Sequence, residues 1–194
     1  MKKVTGKRVL AFIVDYMIVA LIASLFAKVS ILNPNYDKYM EEYNKYVESL
    51  KASLNDNSTE ELYDNSYEMT KLGVNMTLIT IAVGAIYYVG FQYINKGQTI
   101  GKKLFKIKIV DENNERPKFS QVLIHSVLIN SLLVSLISAL AIIYMSKGVY
   151  LKTNKVLEIL DLAISFGSLG CMIVRKDGKG LHDMLAKTNV IGEQ

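Results

Sequence analysis

A single cysteine in 194 residues excludes an internal disulfide, and two histidines leave little for a metal centre. His182 stands beside Asp183, but no second or third ligand follows at a metal-binding spacing. The chain also lacks a nucleophile elbow, a phosphate loop and a zinc motif. Gly97 to Gly101 does not carry the glycine pattern of a nucleotide loop. Asp15 and Asp161 are the one pair that resembles an intramembrane aspartyl dyad, and a depth difference of about 12 Å keeps them from sharing a proton. The expectation is a protein that is not an enzyme, with no cofactor and no metal.

What is present is apolar. Hydrophobic residues make up 51% of the chain and the mean hydropathy is +0.22. They cluster into four runs, residues 9–32, 72–94, 122–145 and 156–174, each near the ~20 residues that a spanning helix needs. Lipid offers the backbone no hydrogen-bond partner, so such runs must be helical. The fourth run carries Glu158 and Asp161 in its first two turns, each costing about 2.5–3.5 kcal/mol on insertion scales. Cys171 falls inside this run as a small packing residue.

Basic residues fix the expected orientation. Of 23 Lys and Arg, 15 fall in the N-terminal flank, the central loop 95–121 and the tail 175–194. An excess of Lys and Arg marks the cytoplasmic flanks, which places both termini on the cytoplasmic side of the plasma membrane. Asp15 interrupts the first apolar run and no small-residue cleavage site follows, which argues against a removed signal peptide. The net charge of +5 is met by anionic lipid headgroups and calls for no nucleic acid.

The segment 33–71 holds nine acidic residues against four lysines, so it belongs outside as an extracellular insert. Tyr36, Tyr39, Tyr43, Tyr46 and Leu50 recur at helical spacing after Pro34. That stripe either packs on the bundle and the headgroup layer or docks an extracellular protein. Asn55 to Ser58 breaks this helix, and Thr59 with Glu60 and Glu61 opens a second short one.

Gly97 to Val110 aligns without gaps on Gly178 to Ile191, at an offset of 81 residues. Gly97 matches Gly178, Lys106 matches Lys187, and Ile109 matches Val190. At one matched position the sign differs, Lys102 against Asp183. The alternating residues 106–110 and 188–191 predict two short strands that pair. The expected fold is therefore an all-α membrane protein: one domain, a four-transmembrane-helix bundle built as two helical hairpins about a pseudo-two-fold axis, with a small cytoplasmic two-stranded β element. Similarity between two basic membrane flanks is the competing explanation of the match.

Arg8 and Asp15 are two turns apart on one helix face. With the helix starting near Val9, Asp15 lies about 10 Å into the membrane, where a carboxylate must be paired, protonated or wet. Arg8-Val-Leu-Ala-Phe-Ile-Val-Asp15, Gly97-Gln-Thr-Ile-Gly-Lys102 and Lys179-Gly-Leu-His-Asp183 together resemble the motifs of the RDD family of bacterial membrane proteins. The resemblance implies Arg8, Asp15 and Asp183 as the signature residues. It implies transport for some members and regulatory or accessory roles for others. Segment 33–71 is longer than the family leads one to expect, and His125 stands where members often carry arginine.

Two functions follow. One is transport of a monovalent cation or small solute, in its concrete form cation/proton exchange by an antiporter, along Asp15, Asp161, Glu158 and His125. Four thin helices leave little internal room, so such a transporter is expected to be a homo-oligomer. The other is an accessory protein that binds a membrane or extracellular partner through the insert. The inner charges have a structural reading as well: Arg8 would pair with Asp15 or Asp183 and clamp the helices together. His125 is either a proton-responsive member of that cluster or a plain interfacial histidine.

Overall fold

The computed structural model describes residues 4–56 and 60–193. In chain order the elements are α1 (Thr5–Ala27), α2 (Tyr36–Asp56), α3 (Glu60–Leu72) and α4 (Val74–Ala85). The last runs on through a π-helical segment (Ile86–Phe91) into α5 (Gln92–Ile94). Then come α6 (Ile100–Leu104), β1 (Ile107–Asp111), α7 (Phe119–Ile129), α8 (Leu132–Tyr144), α9 (Lys147–Val174), α10 (Leu181–Ala186) and β2 (Thr188–Gly192). Of the expected break at Asn55 to Ser58, Asn55 and Asp56 still belong to α2, while residues 57–59, like Lys2 and Lys3, lie outside the described residues.

Three helices are long and apolar enough to cross a membrane: Thr5–Ala27, Val74–Ile94 and Lys147–Val174. A fourth span exists if α7 and α8 count as one, bent by 64° between Ile129 and Leu132. These helices expose large apolar side chains, among them Met17, Leu21, Leu25, Ile86 and Phe166. Such a surface is stable only where lipid covers it. The protein is therefore a membrane protein.

The buried stripe of α1 is Ala11, Asp15, Val19, Ala23 and Ala27. Its four-residue steps keep one face inward, and its alanines let neighbouring helices approach closely. Asn33 Nδ2 donates to the Ala27 carbonyl at 3.1 Å, satisfying an acceptor that the helix end leaves open. The helix begins at Thr5, four residues earlier than the apolar run suggests, so Asp15 sits about 15 Å along it.

Two irregularities interrupt the spans. Between α7 and α8, Ser131 takes a left-handed conformation (φ 54°), where the sequence predicts one continuous helix over 122–145. In the second span the π-helical turn carries Tyr87, Tyr88 and Val89 to buried positions.

β1 and β2 pair antiparallel, as the alternation predicts, with Ile109 opposite Val190. Those residues are 81 apart, the interval of the sequence match. Gly97 and Gly178 both have positive φ, 89° and 68°. So do Lys106 and Lys187, at 51° and 52°. Helices α6 and α10 occupy matched stretches as well. The shared backbone conformations make the match a structural repeat, and the ladder is centred on its own equivalent positions. A local two-fold axis thus passes between Ile109 and Val190.

At the other end, α2 and α3 pack on one another, and Tyr67 of α3 meets Tyr150 of α9 at 5.7 Å between ring centres. Of the tyrosine stripe, Tyr36, Tyr39 and Tyr46 are half-buried, whereas Tyr43 and Leu50 are exposed.

Candidate functional site

The repeated segments bring two carboxylates to the sheet end of the bundle. Asp15 is buried and accepts three bonds: Tyr87 Oη at 2.6 Å and the Gly101 N–H at 2.7 Å on Oδ1, and Thr99 Oγ1 at 2.5 Å on Oδ2. Thr99 is the residue before α6, and its Oγ1 also accepts from the Lys102 N–H at 3.2 Å. The short helix α6 is therefore pinned to α1 by one side chain. Gly101 makes the approach possible, because a Cβ there would stand 2.4 Å from the Ala11 carbonyl oxygen and 2.8 Å from the Asp15 carboxyl.

Asp183, in α10, is fully buried. Its Oδ2 accepts from Arg8 Nη2 at 2.6 Å and from the Gly180 N–H at 2.8 Å. Arg8 Nη1 donates to the Gly178 carbonyl at 3.0 Å, and Nη2 lies 2.8 Å from His182 Nε2. Guanidinium nitrogens only donate, so His182 Nε2 accepts and its Nδ1 carries the proton. That Nδ1 donates to Ser168 Oγ at 2.5 Å. Of the two carboxylates open to it, Arg8 takes Asp183.

His125 completes this cluster from α7, its ring edge-on to His182 with centres 4.7 Å apart. Its Nδ1 lies 3.3 Å from Thr188 Oγ1 and 3.2 Å from Asp183 Oδ1. Asp183 Oδ1 is also 3.5 Å from His182 Nε2, yet it has no aligned hydrogen-bond donor. His125, His182 and Asp183 thus converge as a potential ligand set that spacing along the chain does not reveal. Arg8 already occupies the His182 lone pair, so as it stands the cluster is an ion pair buttressed by two imidazoles.

Charge in this region is set by burial and by close neighbours. Burial pushes the His182 imidazole well below its ordinary value, with His125 and Arg8 adding to the effect against Asp183. For Asp183 burial works against ionisation, but His125, Arg8 and His182 outweigh it and hold the carboxyl well below the usual carboxylate range.

Lys102 is a member of this neighbourhood that the sequence reading passed over. Its Nζ donates to Gln92 Oε1, and Gln92 Nε2 reaches Ser126 Oγ at 3.2 Å. Ser126 in turn donates to the Tyr88 carbonyl at 2.7 Å. Burial, opposed by Asp15 and Asp183 and reinforced by Arg8, pulls the Lys102 ammonium down to about 8. The one available signal was the sign difference with Asp183 at the matched position.

Arg8, Asp15, Lys102, His125 and His182 all line a cavity of about 250 Å³. A second cavity, of about 520 Å³, runs toward the α2–α3 end past Thr77, Thr80, Ser131, Ser135 and Tyr39. The two share Phe12, Tyr88, Ile129, Asn130 and Ser165, beside the break between α7 and α8. Asp161 is half-buried and Glu158 exposed, and neither lines these cavities. Glu158 instead accepts from Asn154 Nδ2 at 2.7 Å. Of the residues expected along a path, Asp15 and His125 come together and Glu158 and Asp161 stand apart.

No curated protein and no solved structure matches the chain. A family model described as RDD family matches residues 4–187, nearly the whole length. The chain belongs to the RDD family.

Proposed function

We propose that this protein passes a small solute across the cytoplasmic membrane, with its sheet and both chain ends on the cytoplasmic side. The observation that supports this reading is the pair of cavities that meet at Asn130 and Ser165. Solute sites in transporters form where a spanning helix is interrupted, because backbone groups freed there need a wet or protein-lined space. The interruption at Ser131 opens on the outer cavity, and Ile129 and Asn130 line both. The route has an ionic inner chamber and an outer one lined by hydroxyls. Alternating access would come from the spans on either side of the Ile109–Val190 ladder moving against one another.

This geometry favours a solute path over a carboxylate relay. Asp15 has both oxygens engaged by three donors, and Asp161 is on neither chamber. Cation/proton exchange remains one arm of the test. Purified protein in liposomes with an internal pH dye is challenged with sodium, potassium, lithium and short organic acids. Flux that falls at least about tenfold in Ser165→Trp, which fills the junction, upholds the route. Absence of flux for the whole panel, with the protein folded, overturns it.

A second reading has its own observation. Leu54 at the end of α2 and Tyr63 of α3 are 78% and 60% exposed, away from the spans. An accessory role would use that surface to hold a membrane or extracellular protein. Deleting the exposed side chains by Leu54→Ser and Tyr63→Ser would then abolish function while leaving flux unaffected.

A further inference from the structure

The inner chamber has more donors than its own acceptors use. Of its lining charges, Asp15 has both oxygens engaged by Tyr87, Thr99 and Gly101, and Arg8 is committed to Asp183, Gly178 and His182. Lys102 differs. A lysine carries three donors, and Lys102 spends one on Gln92 Oε1. Among the described residues it makes no ion pair. Its position is nevertheless fixed, because the fully buried Gln92 is held by Ser126, which is held by the Tyr88 carbonyl. An ammonium placed by a buried amide, with donors to spare and a cavity in front of it, calls for an acceptor-rich occupant.

The rest of the wall sets what else that occupant carries. Val9, Phe12, Ile107, Leu169, Met172 and Val190 make most of it apolar. At about 250 Å³ the chamber falls below the ~300–1,000 Å³ typical of sites for drug-sized ligands, so only a short apolar body fits.

We propose that the inner chamber binds a short-chain organic carboxylate, with its carboxylate on Lys102 and its hydrocarbon body against these walls. As a statement about what is carried, this rests on the transport reading above; as a statement about binding, it is tested without flux. The carboxylate arrives from water as a free short-chain acid, and a long-chain acid entering from the bilayer is the alternative source of the same chemistry.

The test is equilibrium dialysis of the full chain in detergent against labelled hexanoate. Saturable binding near one per chain is expected, displaced by unlabelled hexanoate and untouched by the isosteric amide, hexanamide. Lys102→Met should weaken it at least about tenfold, and Lys102→Arg should keep it within a few-fold. Equal displacement by hexanamide, or equal binding in a folded Lys102→Met, overturns the proposal. The amide comparison uses the unmodified protein and so decides the matter even if Lys102→Met fails to fold. Binding of oleate with none of hexanoate overturns the short-chain assignment and makes the chamber a lipid site. Hexanoate binding without any flux overturns the transport reading alone, and flux of sodium, potassium or lithium without hexanoate binding overturns this inference alone.

Discussion

Arg8 Nη2 lies 2.6 Å from Asp183 Oδ2 and joins the first helix to the last short one, with side chains 10% and 0% exposed. The pair is among the most deeply buried ionic contacts of the described residues. Removing one member leaves the other charged and buried, which typically costs about 3–5 kcal/mol. Arg8→Gln or Asp183→Asn should each lower stability by about 3 kcal/mol or more. The double variant should lose less than the sum of the two, read by thermal melts in detergent.

The same cluster predicts loss of stability in acid. His182 titrates well below 6.5 when folded, so below that value the unfolded chain binds the extra proton and folding weakens as pH falls. Asp183 adds a second loss, beginning as pH drops through its ordinary 3.8 toward its depressed folded value. The melting temperature should be level near pH 7 and fall by about 3 °C or more between pH 6.5 and 5. A folded His182→Asn should flatten that limb, and an unchanged limb would exclude His182 as its source.

Glycines separate by what surrounds them. A Cβ on Gly101 meets the Ala11 carbonyl oxygen at 2.4 Å, and one on Gly97 meets that of Ile109 at 2.2 Å with φ at 89° besides. Gly90 and Gly170 have nothing within 4 Å. Gly101→Ala and Gly97→Ala should each destabilise by about 1–3 kcal/mol, whereas Gly90→Ala and Gly170→Ala should be neutral or gain up to ~1 kcal/mol of helix propensity. Equal melts for all four would refute the close packing of α6 on α1 and of Gly97 on β1.

Lys106 and Lys187 are strained by the same left-handed backbone, at φ 51° and 52°. An L residue loses roughly 1–2 kcal/mol there, and glycine does not. Lys106→Gly and Lys187→Gly should each raise stability by about 0.5–1 kcal/mol after the entropy cost of glycine. The two gains should be similar, because the sites are structurally equivalent.

Legibility followed the range of the signal. Spans and strands are written in local periodicity, so the apolar runs and the 106–110 and 188–191 alternation were readable. The break at Ser131 was not, since Asn130-Ser131 is one of several polar interruptions of that run, with His125, Ser135 and Ser138, and neither glycine nor proline marks it. The π turn left no mark in composition either, although it sets Gln92 inward against Ser126. In the site, Arg8, Asp15 and Asp183 were legible through the motif resemblance, and the choice of Asp183 over Asp15 rests on Tyr87, Thr99 and Gly101 engaging Asp15. His125 and Lys102 reach the cluster only through tertiary packing. No spacing along the chain relates His125 to Asp183.

The ladder that sets Ile109 against Val190 also ties the two copies of the repeat to one another. Each strand faces its own counterpart across the axis, as strands do where two identical subunits meet. The two copies differ where they meet the chamber, one carrying Lys102 on its wall and the other Asp183 beside His125. The exposed turn over 112–116 lies between the two copies, so a chain cut there would keep the β1–β2 ladder as a contact between its two parts.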